Sequence, residues 1–275
     1  MDIIIEATPM MTAEQREEFA RVGILRMPGA IARGDADEMC NSVWSALQKR
    51  YQVRRNAPDT WQARRITGIH DMPKSATFAQ VGSPAVREAL DDLIGRGNWE
   101  APERWGSLLV SFPESREPWD VPHQSWHLDF PAKRPNRGLF CVRLFTCLAK
   151  LAPGASGTLF VAGSHRLVEG LCESENAEKI KSAEARNALI RRSSWVRDLC
   201  SRNGAAGRIE RLMERSEVAN DVELRVIEMT GEPGDVLLTH PMLLHAPARN
   251  CGSVPRLVLS SIIYRSGVRS DEVFN

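Results

Sequence analysis

The sequence contains no hydrophobic run that could cross a lipid bilayer, which takes about 20 consecutive apolar residues. The longest apolar stretches, such as the one from Leu257 to Ile263, are far shorter. The first residues, MDIIIEATPMMTAEQ, carry acids where a secretion signal has a basic flank and an apolar core. These absences argue against a membrane-spanning or secreted protein, and we expect a cytoplasmic one.

The sequence also has almost no excess of charge of either sign. Lys plus Arg number 36 and Asp plus Glu number 35, so the formal net charge is +1. This balance provides no global attraction to nucleic acid or to a membrane surface, and we predict neither as a partner. Hydrophobic residues make up 43% of the 275 residues and charged residues 26%, which excludes disordered, collagen-like and coiled-coil classes.

Cysteine pairs with the spacing of a redox motif are absent as well. The cysteines are scattered through a large chain, without a CxxC motif and without a secretory context. We therefore interpret all of them as reduced thiols. They are Cys40, Cys141, Cys147, Cys172, Cys200 and Cys251.

Turn and helix signals divide the chain into a helical front, a β-rich core and a helical insertion. Thr12 and Gln15 form a capping box at the start of an amphipathic helix that stops at Gly23. Further helices are expected over 33–49 and 84–95. Short apolar runs between Gly and Pro residues predict strands. These runs are 106–112, 139–148, 157–161, 223–229, 235–239 and 256–264.

No internal repeat or long linker separates these parts, and an all-β unit of this length often folds as one domain. We therefore predict a single domain over residues 1–275, mainly β with flanking helices. Its helical front would span 1–104, its β core 105–166 and 222–266, and its helical insertion 167–221.

The histidines are the first place to look for chemistry, because the sequence has only six. In the segment SWHLDF, His127 and Asp129 are two residues apart, and an extended strand places side chains at that spacing on one face. An imidazole beside a carboxylate can supply two ligands of a metal site. The same spacing also occurs in hydrogen-bonded surface pairs, so both interpretations are open at this point.

A second segment, GDVLLTHPMLLHAPARN, adds another histidine late in the chain, His245. Two histidines and one aspartate can form the facial triad that holds Fe(II) and leaves three positions open for other ligands. Arg256 follows His245 by eleven residues and opens the strongest predicted strand. A guanidinium at that place can bind a carboxylate through two hydrogen bonds.

Four segments together resemble the phytanoyl-CoA dioxygenase family of Fe(II)- and 2-oxoglutarate-dependent oxygenases. They are TAEQREEFARVGILRMPGAI near the start, WHLDF, SGTLFVAGSHR at 156–166, and GDVLLTHPMLLHAPARN followed by Arg256. The resemblance implies a double-stranded β-helix, which is a jelly-roll or cupin-like core. It also implies that His127, Asp129 and His245 bind Fe(II), and that Arg256 binds the distal carboxylate of 2-oxoglutarate.

The activity implied by the resemblance is oxidation of an unactivated C–H bond in a small-molecule metabolite, with 2-oxoglutarate and O2 as cosubstrates and succinate and CO2 as products. Halogenating relatives have a small residue at the position of Asp129, so its carboxylate favours hydroxylation, desaturation or ring closure. Two other classes are open. One is a zinc-dependent hydrolase on the same ligands, which would not need Arg256. The other is a non-catalytic jelly-roll binding protein, against which the intact triad argues.

The other four histidines are weaker candidates. His123 lies in an extended segment, where its spacing from the triad does not place two ligands together. His240 competes with His245 for the distal position, and the resemblance favours His245. We interpret His165 as a structural residue beside a turn, and His70 as a loop residue that is either solvated or lines the mouth of the site.

The region from Lys49 to Arg65 is rich in basic residues and contains a single acid, Asp59. Such a run is either a solvated helix end or a cationic rim for an anionic substrate. We predict that this run and the helices over 174–201 flank the mouth and select the substrate, because loops and insertions carry specificity. The basic residues are Lys49, Arg50, Arg54, Arg55, Arg64 and Arg65.

Overall fold

The larger of two facing sheets lies at the centre of the fold. The computed structural model describes residues 11–61, 66, 72, 75–114, 118–133, 138–202 and 207–268. Within them, the larger sheet has five strands, and all neighbouring strands are antiparallel. In spatial order they are β1 (Ile24–Met27), β9 (Val236–Thr239), β4 (Cys141–Cys147), β11 (Arg256–Tyr264) and β2 (Ser107–Ser111).

A smaller antiparallel sheet packs against the larger one. The aromatic rings of Phe145 and Phe160, one from each sheet, meet edge to face with 5.6 Å between their centroids. From β8 to β11 the chain alternates between the two sheets, as in a jelly roll. In spatial order the smaller sheet contains β10 (His245–Pro247), β5 (Thr158–Ala162), β8 (Val222–Glu228) and β7 (Glu217–Ala219), and a separate pair joins β3 (Ala132–Lys133) to β6 (Lys179–Ile180).

Strand β11 shows why the larger sheet is apolar on both faces. Val258 belongs to the interior between the sheets, whereas Leu257 and Leu259 belong to a cluster with the front helices. With both faces covered, such a strand needs no polar alternation along its length. Arg256 shares the interior face with Val258, because alternate residues of a strand point the same way.

The front helices cover the outer face of the larger sheet. The predicted capping box is present: the Thr12 hydroxyl accepts from the Gln15 N–H at 3.1 Å, and the Gln15 side chain accepts from the Thr12 N–H at 2.9 Å. Gly23 ends the helix with φ at 80°, a conformation that glycine adopts readily. The helices are α1 (Ala13–Val22), α2 (Arg33–Tyr51), α3 (Ala76–Ala79) and α4 (Pro84–Ile94), with short 3-10 turns at Pro58–Thr60 and Gln80–Gly82.

The insertion differs from the predicted helical segment 167–221 in three respects. Its first helix already begins at Ser164, its middle contains the short strand β6, and its end contributes strand β7, which forms a hairpin with β8. Asn220 and Asp221 form the hairpin turn with φ values of 51° and 60°, a conformation that these two residue types tolerate. Its helices are α5 (Ser164–Ser174), α6 (Ser182–Arg192) and α7 (Ser194–Leu199), followed by a π-helical turn at Glu210–Glu214. No helix in the described part of the chain is long and apolar enough to span a membrane.

Two buried histidines attach α1 to the end of the barrel. His165 Nε2 donates to the carbonyl of Ala20 at 3.0 Å, and the main-chain N–H of His240 donates to the carbonyl of Gly23 at 2.8 Å. The two imidazole rings lie 4.5 Å apart. Burial lowers the pKa of His165 to about 4 and lowers the pKa of His240 well below its ordinary value. Both imidazoles are therefore neutral at neutral pH.

The low pKa of His165 predicts a loss of stability in acid. Its folded-state pKa of about 4 lies below the ordinary value of 6.5, so the unfolded chain takes up the proton first as pH falls through that window. This one group should cost about 2 kcal/mol of unfolding free energy between pH 7 and pH 5. Urea denaturation at both pH values, with a chelator present, should show a smaller loss of unfolding free energy for His165→Gln than for the unmodified protein. An equal difference in both proteins would contradict the prediction.

Candidate metal centre

The two predicted histidine ligands face each other across an antiparallel bridge. The N–H of His127 donates to the carbonyl of His245 at 2.9 Å, and the N–H of His245 donates to the carbonyl of His127 at 3.0 Å. On its other side, His245 pairs with Phe160 of β5. Residues opposite each other in such a pair present their side chains on the same face, and the two imidazole centroids are 4.2 Å apart.

Asp129 completes the group on the same face. Its Oδ1 lies 3.5 Å from Nε2 of His127, and its Oδ2 lies 3.4 Å from Nε2 of His245. One candidate ligand atom from each of the three residues lies within 4.8 Å of the others. Among the described residues, this is the group of His, Cys, Asp and Glu side chains that could hold a metal ion. The three residues predicted from the sequence therefore come together.

Main-chain carbonyls set the orientation of both imidazoles. The carbonyl of Ser125 lies 2.7 Å from Nδ1 of His127, and the carbonyl of Leu243 lies 2.9 Å from Nδ1 of His245. A carbonyl can only accept, so each Nδ1 carries the hydrogen and each Nε2 presents a lone pair to the site. Burial lowers the pKa of His245 to about 3, which keeps it neutral and able to bind a metal. These donors fit a divalent metal ion.

Arg143 is a site residue that the sequence argument missed. From β4 its guanidinium forms an ion pair with Asp129, and its Nε donates to the Ser260 hydroxyl at 3.2 Å. The guanidinium also lies 5.2 Å from the ring centroid of Phe145. Burial lowers its pKa to about 10, so it remains charged at neutral pH. One signal was available: Arg143 is the single charged residue in the run LFCVRLFTCL.

Arg256 lies inside the barrel at the start of β11. Its Nη1 donates to the carbonyl of Ser156 at 2.6 Å, but its Nε is shielded from solvent and has no hydrogen-bond partner among the described residues. Burial lowers its pKa to about 10, and Glu114 acts in the opposite direction. No carboxylate among the described residues forms an ion pair with it. A partly buried guanidinium whose shielded Nε is an unused donor fits the carboxylate of a ligand.

The remaining histidines lie outside this group. His123 accepts a hydrogen bond from Nε of Arg202 at 3.2 Å. His165 and His240 pack against α1, and His165 lies in the first turn of α5 and braces α1, rather than lying in a turn after the strand. His70 is outside the described residues. The choice of His245 over His240 therefore agrees with the geometry of the group.

The predicted basic rim is only partly described. Arg54 and Arg55 are exposed, and Arg55 donates to Oδ1 of Asn41 at 3.0 Å. Arg64 and Arg65 lie outside the described residues. The protein has a cavity of 400 Å³ beside α1 and a cavity of 560 Å³ beside the insertion. The described residues of the basic run contribute to the lining of neither cavity. Substrate selection by this run stays a prediction.

Comparison with known proteins adds an independent observation. The family model described as Phytanoyl-CoA dioxygenase (PhyH) matches residues 19–258. The chain belongs to this family. It is accordingly a 2-oxoglutarate-dependent oxygenase, with iron as its metal and 2-oxoglutarate as its cosubstrate. No curated protein matches the chain in sequence.

Solved structures share the fold of this phytanoyl-CoA dioxygenase family member. The carbocyclase SnoK from nogalamycin biosynthesis has a TM-score of 0.54 at 13% identity, covering 96% of this chain and 91% of its own. HygX from Streptomyces hygroscopicus, with nickel and 2-oxoglutarate bound, has a TM-score of 0.52 at 18% identity, covering 94% and 88%. The epimerase SnoN, in complex with Fe3+, alpha ketoglutarate and nogalamycin RO, has a TM-score of 0.50 at 13% identity, covering 92% and 83%. The predicted double-stranded β-helix is confirmed.

The ion pair between Arg143 and Asp129 predicts that replacements of these two residues have coupled effects on the stability of the metal-free protein. Both side chains are about one-fifth exposed, at 21% and 20%. Partly buried charges in contact should show a coupling of about 1 to 3 kcal/mol in a double-mutant cycle. Urea denaturation of Arg143→Gln, Asp129→Asn and the double variant, with a chelator present, measures this coupling. A value below about 0.5 kcal/mol would argue against a stabilising pair.

Proposed function

We propose that His127, Asp129 and His245 hold the iron, and that the enzyme oxidises an unactivated C–H bond of a small-molecule metabolite. Hydroxylation is the outcome we favour, with release of succinate and CO2. The observation that carries the proposal is the convergence of three ligand atoms within 4.8 Å. Bound iron with 2-oxoglutarate and O2 would supply the oxidising chemistry. Three protein ligands leave the remaining positions for those molecules.

The residues around the triad would prepare it for this role. Two imidazoles, each held through Nδ1 by a main-chain carbonyl, offer Nε2 as a ligand atom. Arg143 engages the carboxylate of Asp129, which favours metal contact through one oxygen rather than two. A carboxylate bound through one oxygen leaves more room for a cosubstrate. We therefore assign Arg143 a role in orienting Asp129.

We assign Arg256 to the distal carboxylate of 2-oxoglutarate. The support is its buried Nε, which has no hydrogen-bond partner in the described part of the chain and lies on the interior face of β11. The cosubstrate carboxylate would supply the missing acceptor and offset the cost of burying the charge. A zinc hydrolase would have no use for this group.

We assign substrate selection to the insertion. A 560 Å³ cavity lies between its residues Ser201 and Arg202 and the segment with Gln124 and Ser125, which leads into His127. The cavity lining has a small excess of basic over acidic side chains, which favours an anionic metabolite. We also place the enzyme in the cytoplasm, because free thiols at all six cysteines suit a reducing compartment.

Replacement of the histidine ligands tests the triad. His127→Ala and His245→Ala should each lose stoichiometric Fe(II) binding in anaerobic equilibrium dialysis, because each removes one of three ligands. His123→Ala, in the same segment, is the matched control and should keep its iron. Thermal unfolding of each variant confirms that it is folded. If His245→Ala kept iron while His240→Asn lost it, the distal assignment would be wrong.

Replacement of Arg256 tests the cosubstrate site. Loss of a desolvated, charged hydrogen-bond pair costs about 2 to 5 kcal/mol, so Arg256→Ala should weaken 2-oxoglutarate binding by at least about tenfold. Arg256→Lys should rescue it poorly, because the planar fork is lost. Titration of 2-oxoglutarate into the anaerobic Fe(II) protein, followed by its visible absorption, measures the effect. Iron affinity should change little, and an unchanged 2-oxoglutarate dissociation constant would leave Arg256 with a structural role.

A further inference from the structure

The peptide unit between Trp126 and His127 is held from both sides. Its N–H, which belongs to His127, donates to the carbonyl of His245 at 2.9 Å. Its carbonyl, which belongs to Trp126, accepts from Nε of Arg186 at 2.6 Å. A trans peptide unit is planar, with its N–H and C=O pointing to opposite sides, so the two contacts together fix its plane. The first partner belongs to the barrel and the second to helix α6 of the insertion.

Arg186 occupies the place that a neighbouring strand would take. Within the described residues, the segment 121–128 has one β-bridge, between His127 and His245. Its other edge would therefore present unpaired main-chain groups, and an unpaired buried carbonyl costs free energy. The guanidinium of Arg186 satisfies that carbonyl immediately before His127. A charged donor also makes a stronger hydrogen bond than a main-chain amide.

His127 depends on its main chain more than His245 does. The His127 side chain is 47% exposed, whereas the His245 side chain is 8% exposed and lies in a strand paired on both sides. Packing therefore restrains the His127 ring less than it restrains the His245 ring. Its orientation comes from the Ser125 carbonyl, and Ser125 adopts a positive φ of 65°. A shift of this segment would move the ring and its Nε2 together.

The helix that carries Arg186 is itself firmly placed. Ala185, Ala188 and Leu189 of α6 are buried in the same apolar cluster as the Trp126 side chain. The indole Nε1 of Trp126 donates to the Pro122 carbonyl at 2.8 Å, which ties the segment together. Arg186 therefore contacts the main chain of the segment 121–128 from a helix whose apolar side is buried.

We propose that Arg186 is a positioning residue for His127, and that the insertion sets metal affinity through this one hydrogen bond. The inference rests on the proposed function, because it takes His127 as a metal ligand. It gives the insertion a second role besides substrate selection. Groups that orient a metal ligand typically contribute 10- to 100-fold to metal affinity.

The test compares two arginines of the same helix. Arg186→Met removes the donor and keeps most of the apolar stem, whereas Arg192→Met removes a guanidinium that donates to Ser174 and Glu175 instead. Titration with Co(II), followed by its visible spectrum, gives the metal affinity of each protein. We expect binding about tenfold weaker for Arg186→Met, unchanged for Arg192→Met, and partly restored for Arg186→Lys, which keeps a charged donor.

A second measurement needs no metal. Amide hydrogen exchange in a peptide spanning 121–130 of the metal-free protein should be faster in Arg186→Met than in Arg192→Met, because the peptide unit before His127 loses one of its two hydrogen-bond partners. Faster exchange with unchanged Co(II) affinity would overturn the inference, since Arg186 would then be structural only. Unchanged exchange would overturn it as well. Failure of the unmodified protein to bind Co(II) through His127 would instead overturn the proposed function.

Discussion

The reciprocal hydrogen bonds between His127 and His245 are the constraint on which the site depends. They join a segment with one β-bridge in the described structure to strand β10, and through Phe160 to the rest of the smaller sheet. Asp129, two residues further on, then falls on the same side as both imidazoles. A shift of one residue in this register would turn His127 to the opposite face and disperse the group.

The barrel interior carries charges that a core built for stability alone would avoid. Arg143 and Arg256 both lie between the sheets, where burial disfavours their charged forms. Asp129 and Ser260 offset this cost for Arg143. Arg256 is only partly satisfied, by the carbonyl of Ser156. Such local conflicts with packing rules are expected at functional sites, where a ligand completes the set of partners.

Local patterns in the sequence predicted much of the fold. The capping box at Thr12, the stop at Gly23 and the strand 256–264 are all present, because each depends on neighbouring residues and on apolar periodicity. The Asn220–Asp221 hairpin was missed although its turn residues were visible. Arg143 was missed for a different reason, since its partner Asp129 meets it only when β4 is in place.

The sequence by itself determined the residue types, the two-residue spacing of His127 and Asp129, and the strands that carry the other groups. Tertiary structure alone decided which distant residue each of these meets. It brought His245 rather than His240 to the group, and it placed Arg186 of the insertion on the Trp126 carbonyl. The physical reason is that spacing along a strand is set by local backbone geometry, whereas contacts between distant segments depend on sheet register and helix packing across the whole chain.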